Sequence, residues 1–96
     1  MRPSEAIAAH RDKILAITAA RGAGNVRVFG SAARSLDADG SDLDLLVDVP
    51  AGISLYELAA IQLDLEKALG VPVDLRTEQE LHPRIRPKVL AESRRL

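Results

Sequence analysis

The 96-residue chain contains no cysteine and almost no aromatic side chains. The absence of cysteine excludes disulfide bonds and a thiolate-bound metal, and it fits a reducing compartment. Aromatic residues make up only 2% of the chain, so its core must consist of leucine, valine, isoleucine and alanine. With so few aromatic residues, the chain also has no platform on which nucleic-acid bases could stack. The net charge of −1 argues against bulk electrostatic binding of nucleic acid.

Long apolar runs are missing as well. The first residues lead into an interrupted apolar pattern, so we expect neither a signal peptide nor a membrane span, and we expect a cytoplasmic location. The length suits one small domain that covers residues 1–96, and the 47% of hydrophobic residues suffices for one core. A domain of this size buries a limited fraction of its surface, so it is expected to be marginally stable alone.

The order of apolar patterns and chain breaks predicts helix, strand, turn, strand, helix, strand and helix. The clearest helix covers residues 55–69, because Ser54 and Glu57 have the spacing of a capping box and Gly70 follows its last turn. Strands are predicted at residues 26–29, 42–49 and 71–75. The tail is predicted as a helix from Pro87 to Arg95. These elements indicate the α/β (α+β) class, with a small mixed sheet of three to four strands flanked by helices.

The second predicted strand opens with two carboxylates, Asp42 and Asp44. Successive side chains of a strand point to opposite faces, so both acids share one face while Leu43, Leu45 and Val47 share the other. Two neighbouring acids repel each other, and a bound cation would remove that cost. A divalent-metal site is therefore one interpretation, and a solvated strand end is the alternative.

Two further features favour the metal interpretation. Gly30 and Ser31 break the first strand, where glycine permits close backbone approach and the Ser31 hydroxyl and N–H can bind phosphate. Asp74 is a lone acid in an apolar strand and can join Asp42 and Asp44 as a third carboxylate. Nucleotidyl transfer needs in-line geometry and neutralised charge, which two Mg²⁺ ions on these carboxylates would supply. Asp74 would also help to deprotonate the attacking hydroxyl.

A glycine-serine pair, ten residues and then Asp-x-Asp resemble the signature of the DNA polymerase beta-like nucleotidyltransferase superfamily. Within it, the chain is similar to the minimal nucleotidyltransferases, the small antitoxin partners of HEPN-domain toxins. The resemblance covers nearly the whole chain. Its segments are residues 28–31, 33–34, 41–47, 73–75 and 81–90. One departure is Ser35, where such proteins often have glycine; it narrows backbone freedom after the turn but leaves the acids intact.

The resemblance implies the nucleotidyltransferase fold and the transfer of AMP from ATP to a hydroxyl, with release of pyrophosphate. The Gly30-Ser31 turn would hold the triphosphate of ATP, while Asp42, Asp44 and Asp74 would bind Mg²⁺ and carry catalysis. Arg34 would either steady the triphosphate or pair with a nearby acid. In the antitoxin branch the acceptor is a tyrosine of the cognate HEPN-domain toxin, which is thereby silenced, and the two proteins would form a hetero-oligomer.

Two other functions remain open from the sequence, besides a weaker enzyme variant that hydrolyses nucleotides without transfer. The first is a non-catalytic antitoxin that neutralises its partner by binding, with a vestigial site. The second is a nucleotidyltransferase that acts on a small molecule. Larger members of the superfamily carry an added helical domain for such substrates, and its absence from this chain weighs against the second function.

Overall fold

A four-stranded mixed sheet is the central element of the computed structural model, which describes residues 1–96. Its strands are β1 (Gly24–Phe29), β2 (Leu43–Asp48), β3 (Val73–Arg76) and β4 (Arg94–Arg95). The helices are α1 (Pro3–Ala20), α2 (Gly30–Ala33), α3 (Leu55–Leu69) and α4 (Arg86–Glu92), with a short 3₁₀ helix at Glu78–Glu80. None of the helices combines the length and the apolar composition needed to cross a membrane.

The strand order is β3-β2-β1-β4. Strand β1 runs antiparallel to both β2 and β4, whereas β3 runs parallel to β2. A parallel pair needs a long crossover connection, and α3 provides it between β2 and β3. The predicted class, a small mixed sheet flanked by helices, is confirmed.

The C-terminal segment differs from the predicted single helix from Pro87 to Arg95, and the prediction was wrong for its last three residues, 93–95. Helix α4 ends at Glu92, and the chain then forms β4, in which Arg95 lies opposite Arg27 of β1. The helical pattern of the tail is a local signal, and it carries no information about a strand that is distant in sequence. The fourth strand therefore appears only when the tail meets the free edge of β1.

The principal core lies on one face of the sheet, against α1 and α3. It contains Val26 and Val28 of β1, Leu43, Leu45 and Val47 of β2, Val73 and Leu75 of β3, Ala6 and Ile14 of α1, and Ile61, Leu65 and Leu69 of α3. Each fully buried leucine or isoleucine contributes about 1.5–3 kcal/mol by removal from water. The predicted alternation of β2 is confirmed, because Leu43, Leu45 and Val47 are fully buried while Asp44 is only half-buried.

Helix α3 has the bounds and the caps that its sequence predicts. The Ser54 hydroxyl accepts a hydrogen bond from the Glu57 N–H at 3.1 Å, which satisfies one of the free donors at the start of the helix. Gly70 ends the helix with a φ of +70°, a conformation that glycine adopts without strain. These local signals are sufficient to define both ends of α3.

Helix α3 also covers the outer edge of β3. The carboxylate of Glu66 accepts a hydrogen bond from the Val73 N–H at 3.0 Å, and the Gln62 amide oxygen accepts one from the Leu75 N–H at 3.4 Å. An edge strand otherwise presents unpaired N–H groups to other chains. The same two bonds hold the backbone on either side of Asp74, so they fix the position of Asp74 in the strand.

The loop between α2 and β2 is tied to the start of α1 by Asp37. One oxygen of this buried carboxylate accepts a hydrogen bond from the Ser4 N–H at 2.8 Å. That bond holds the pKa of Asp37 below its usual range. Ser35, at the start of the loop, has a φ of +58°, a region that glycine enters more easily than serine. The serine that stands where such proteins often have glycine therefore lies at a position whose backbone conformation favours glycine.

A buried arginine on β1 joins two segments on the other face of the sheet. The Arg27 guanidinium lies 2.7 Å from an Asp48 oxygen and 2.9 Å from a Glu78 oxygen, and only 8% of Arg27 is exposed. Asp48 is thus a partner of a buried arginine, although its own side chain is largely exposed. Because Glu78 opens the 3₁₀ helix, the pair of bonds fastens the segment after β3 to the sheet.

Replacing Arg27 by methionine is expected to lower the free energy of unfolding by about 2 kcal/mol, because it leaves two partly exposed acids without their cation. Urea unfolding at neutral pH measures the change. Arg95→Met is the matched control, since Arg95 is the exposed neighbour of Arg27 on β4. Equal stability of the two variants would contradict this role for the Arg27 ion pairs.

Candidate active site

The predicted phosphate turn forms where β1 passes into α2. Gly30 has a φ of +71°, and a Cβ atom built at this position would lie 2.2 Å from Oδ2 of Asp44. Glycine is therefore required by both the backbone conformation and the space. Ser31 follows in the first turn of α2, where its carbonyl accepts a hydrogen bond from the Leu36 N–H at 2.9 Å. The turn is thus closed on itself and lies directly against the Asp44 carboxylate.

Two of the three predicted carboxylates lie side by side on adjacent strands. Asp44 of β2 is opposite Asp74 of β3 in the parallel register, and on its other side it is opposite Phe29, the last residue of β1. Asp42 is exposed and lies just before β2 begins. The sheet therefore brings together three sequence segments: the Gly30 turn, the start of β2, and β3.

The charge of Asp44 is strongly disfavoured in this position. Burial, followed by the negative charges of Asp74 and then Asp42, raises its pKa from 3.8 to about 6, while the nearby Arg76 opposes the shift. The fold thus holds carboxylates together against their repulsion. Because a cation would reverse this cost, the arrangement suits metal binding better than a solvated strand end.

Asp74 is paired with an arginine on its own strand. The Nε atom of Arg76 lies 3.2 Å and 3.3 Å from the two Asp74 carboxylate oxygens. No three histidine or acidic side chains are placed so that they could hold one metal ion together. The three predicted ligands are hence neighbours, but Asp74 faces Arg76 in this arrangement.

The residues nevertheless fit Mg²⁺. Carboxylate oxygens are the protein ligands that Mg²⁺ prefers, usually one or two of them with phosphate oxygens and water. Asp44 supplies a partly desolvated carboxylate, and the missing side chain of Gly30 leaves room beside it. The assignment of Asp42, Asp44 and Asp74 as metal ligands stays a prediction.

The predicted phosphate contact Arg34 lies outside this group. It is exposed, and its guanidinium is 3.9 Å from an oxygen of Glu92 in α4. The structure thus shows it beside an acid, and its contact with phosphate stays a prediction. Two cavities, of about 310 and 270 Å³, are lined by none of the three carboxylates. The carboxylates are instead partly exposed on the surface, where another molecule can reach them.

Arg76 is the residue of the site that the sequence interpretation missed. Its signal was present, because a residue two positions after Asp74 on a strand shares its face. The ion pairs of Arg27 were missed for a different reason. They join β1 to the end of β2 and to the 3₁₀ helix, and no local pattern indicates which acids an arginine will meet.

Comparison with known proteins agrees with the fold and identifies the family. Residues 11–96 match the family described as the nucleotidyltransferase domain. A protein of Methanocaldococcus jannaschii, provisionally named protein adenylyltransferase MJ0435, is 36% identical over 81 residues, which are 84% of this chain and 87% of the relative. A solved structure, provisionally described as a minimal nucleotidyltransferase, is 45% identical and has a TM-score of 0.85, covering 97% of this chain and 95% of that chain.

A more distant structural neighbour is described as a toxin-antitoxin with AMP-PNP. It has a TM-score of 0.77 and 19% identity over 88% of this chain and 69% of that chain, so it supports the fold alone. The family match covers most of the sequence, including the Gly30 turn and all three acids. This chain therefore belongs to the nucleotidyltransferase domain family, as a nucleotidyltransferase of the minimal type.

Proposed function

We propose that this protein transfers AMP from ATP, with Mg²⁺, to a hydroxyl of a partner protein, and that it acts as an antitoxin. The acceptor we propose is a tyrosine of a cognate HEPN-type toxin. One observation carries the proposal: Asp44 lies between the Gly30 turn and Asp74, so two carboxylates meet the turn that we propose to bind phosphate.

Each residue has a distinct task in this proposal. Asp42 and Asp44 would hold Mg²⁺, with Asp74 as the third ligand. The Ser31 hydroxyl and the N–H groups at the start of α2 would bind the triphosphate, and Arg34 is kept as a candidate contact with it. When bound, Mg²⁺ would neutralise charge on the phosphates and orient the attacking and leaving oxygens.

At the α-phosphorus the reaction forms one bond and breaks one, and a proton moves from the acceptor hydroxyl to Asp74. The acceptor hydroxyl oxygen bonds to the α-phosphorus of ATP, and the bond from that phosphorus to the α,β-bridging oxygen breaks. Pyrophosphate leaves with the bridging oxygen, and Asp74 takes the proton of the hydroxyl. Gly30 contributes by leaving room for the Asp44 carboxylate, which a side chain at this position would displace.

A protein acceptor is supported by two findings. The carboxylates lie on the surface, where the side chain of another protein can reach them. The relative from Methanocaldococcus jannaschii carries a protein adenylyltransferase name. A neighbour that shares the fold is described as a toxin-antitoxin with AMP-PNP, and we extend that description to this chain only as part of the proposal. The HEPN class of the toxin and the tyrosine acceptor extend the sequence resemblance and are part of the proposal.

The test is incubation of the protein with a HEPN-type toxin, ATP and Mg²⁺, followed by mass spectrometry of the toxin. We expect the toxin to gain one or more AMP masses, and peptide fragmentation is expected to place them on tyrosine. Omission of Mg²⁺ with added EDTA is expected to abolish the gain. The variant Asp42→Ala plus Asp44→Ala is expected to bind the toxin but not modify it.

The outcomes separate the candidate functions. A toxin that binds the protein but never gains mass would contradict AMP transfer. If the double variant still protected cells from the toxin, neutralisation by binding alone would replace the proposal. Transfer of AMP to a small molecule, with none to the toxin, would identify the site as that of a small-molecule nucleotidyltransferase.

A further inference from the structure

Arg76 lies on the same face of β3 as Asp74, the carboxylate assigned to the metal. Its Nε atom is within 3.3 Å of both Asp74 oxygens, so one N–H group of the guanidinium is shared between the two oxygens of the carboxylate. The two side chains are 44% and 36% exposed. An ion pair with this exposure is weak and readily exchanged.

The position of Arg76 brings its charge close to a second carboxylate as well. Asp44 lies opposite Asp74 in the register of β2 and β3, so the guanidinium bound to Asp74 lies beside two neighbouring acids. A guanidinium and a divalent ion cannot both occupy the oxygens of one carboxylate without repelling each other.

We propose that Arg76 is a positioning residue that competes with the divalent cation for Asp74. It holds the carboxylate in the metal-free protein and releases it when the cation binds. The exchange accounts for two observations together: the acids are neighbours, yet no three of them are arranged to hold one ion. This inference rests on the proposed function, because it takes the carboxylates as a metal site.

The competition predicts the direction in which loss of Arg76 changes the affinity for a divalent cation. Removing Arg76 takes away both the competitor for Asp74 and a positive charge beside the ion, so the variant should bind a divalent cation more tightly. A residue with a merely structural role would leave the affinity unchanged or weaken it. For an exposed pair, the expected gain is about fivefold.

The experiment titrates the purified metal-free protein with Mn²⁺, and free Mn²⁺ is measured by electron paramagnetic resonance. Arg76→Gln is compared with wild type and with Arg21→Gln. Arg21 is a matched control, because its Nε lies 3.3 Å from an Asp64 oxygen with similar exposure, and both residues lie outside the site. We expect Arg76→Gln to bind Mn²⁺ about fivefold more tightly than wild type, and Arg21→Gln to bind it with the wild-type affinity.

A second pair of variants links the gain to Asp74. In an Asp74→Asn background, Arg76→Gln is expected to give a clearly smaller gain, since the carboxylate for which the ions compete is gone. Thermal unfolding provides an independent reading. Mn²⁺ should raise the melting temperature of Arg76→Gln more than that of wild type, because tighter binding stabilises the folded state more.

Two failures are distinguishable. If wild type binds Mn²⁺ and Arg76→Gln binds it no more tightly, the competition is overturned while the metal-dependent function stands. If neither wild type nor Arg76→Gln binds Mn²⁺, both the metal site and the competition are contradicted. Binding by Arg76→Gln alone would support the competition in its strongest form.

Discussion

Asp44→Asn is expected to lower the rate of AMP transfer about a thousandfold, and at neutral pH to raise the stability of the metal-free protein. The rate falls because the variant loses the carboxylate that lies between the Gly30 turn and Asp74. The stability rises because asparagine keeps the shape of the side chain and removes a charge that the fold disfavours. A lower rate of AMP transfer together with a higher stability would exclude misfolding as the cause of the lost activity.

The gain in stability depends on pH in a defined direction. The pKa of Asp44 is about 6 in the folded protein against the ordinary value of 3.8, so the folded state binds the proton of this carboxyl more strongly than the unfolded state does. The contribution of Asp44 to the stability of wild type therefore falls as the pH rises through this interval, and the loss is complete above it. Asparagine does not titrate, so the advantage of the variant is absent near pH 4. At pH 7.5 it reaches about 1 kcal/mol, after allowance for partial exposure.

Urea unfolding in EDTA at pH 4 and pH 7.5 measures this difference. Asp12→Asn is the matched control, because Asp12 is an exposed acid on α1, outside the site. That variant should keep the rate of transfer and the stability of wild type at both values of pH. An Asp44→Asn protein that is less stable than wild type at pH 7.5, or that transfers AMP at the wild-type rate, would contradict the assignment.

Gly30→Ala is expected to lower the rate of AMP transfer at least about a hundredfold, with a loss of about 1–2 kcal/mol in the free energy of unfolding. The two effects have separate causes. The stability loss comes from a φ of +71°, which alanine adopts only with strain. The rate loss comes from the new Cβ, which would lie 2.2 Å from Oδ2 and 3.1 Å from Cγ of Asp44. The short side chain of Asp44 can relieve that clash only by turning its carboxylate away.

Gly52→Ala separates the two causes. Gly52 has a similar φ of +82°, but no atom lies within 4 Å of a Cβ built there. It should therefore lose a comparable free energy of unfolding and retain the wild-type rate. Urea unfolding and the toxin mass assay measure the two quantities in parallel. Equal rates for Gly30→Ala and Gly52→Ala would show that the contact with Asp44 has no part in the reaction.

The amino-acid sequence determined the elements whose signals are local. Helix α3 has the predicted bounds because Ser54 and Gly70 cap it through neighbours in the chain. Strand β2 has the predicted faces because alternation assigns each side chain to one side without reference to a partner. The spacing from Gly30-Ser31 to Asp42 and Asp44 is likewise a local pattern, and with the neighbouring motifs it predicts the nucleotidyltransferase family, which the family match confirms.

The tertiary structure decided what depends on contacts between distant segments. It placed Asp44 opposite Asp74, because the strand register is set by packing of the whole sheet on α1 and α3. It made Arg94–Arg95 an edge strand rather than the end of a helix, because β1 had a free edge. It also directed Arg76 onto Asp74. The sequence thus determined which carboxylates are present and on which faces they lie, and only the fold determined which charges they meet, since electrostatic interactions depend on distance in space.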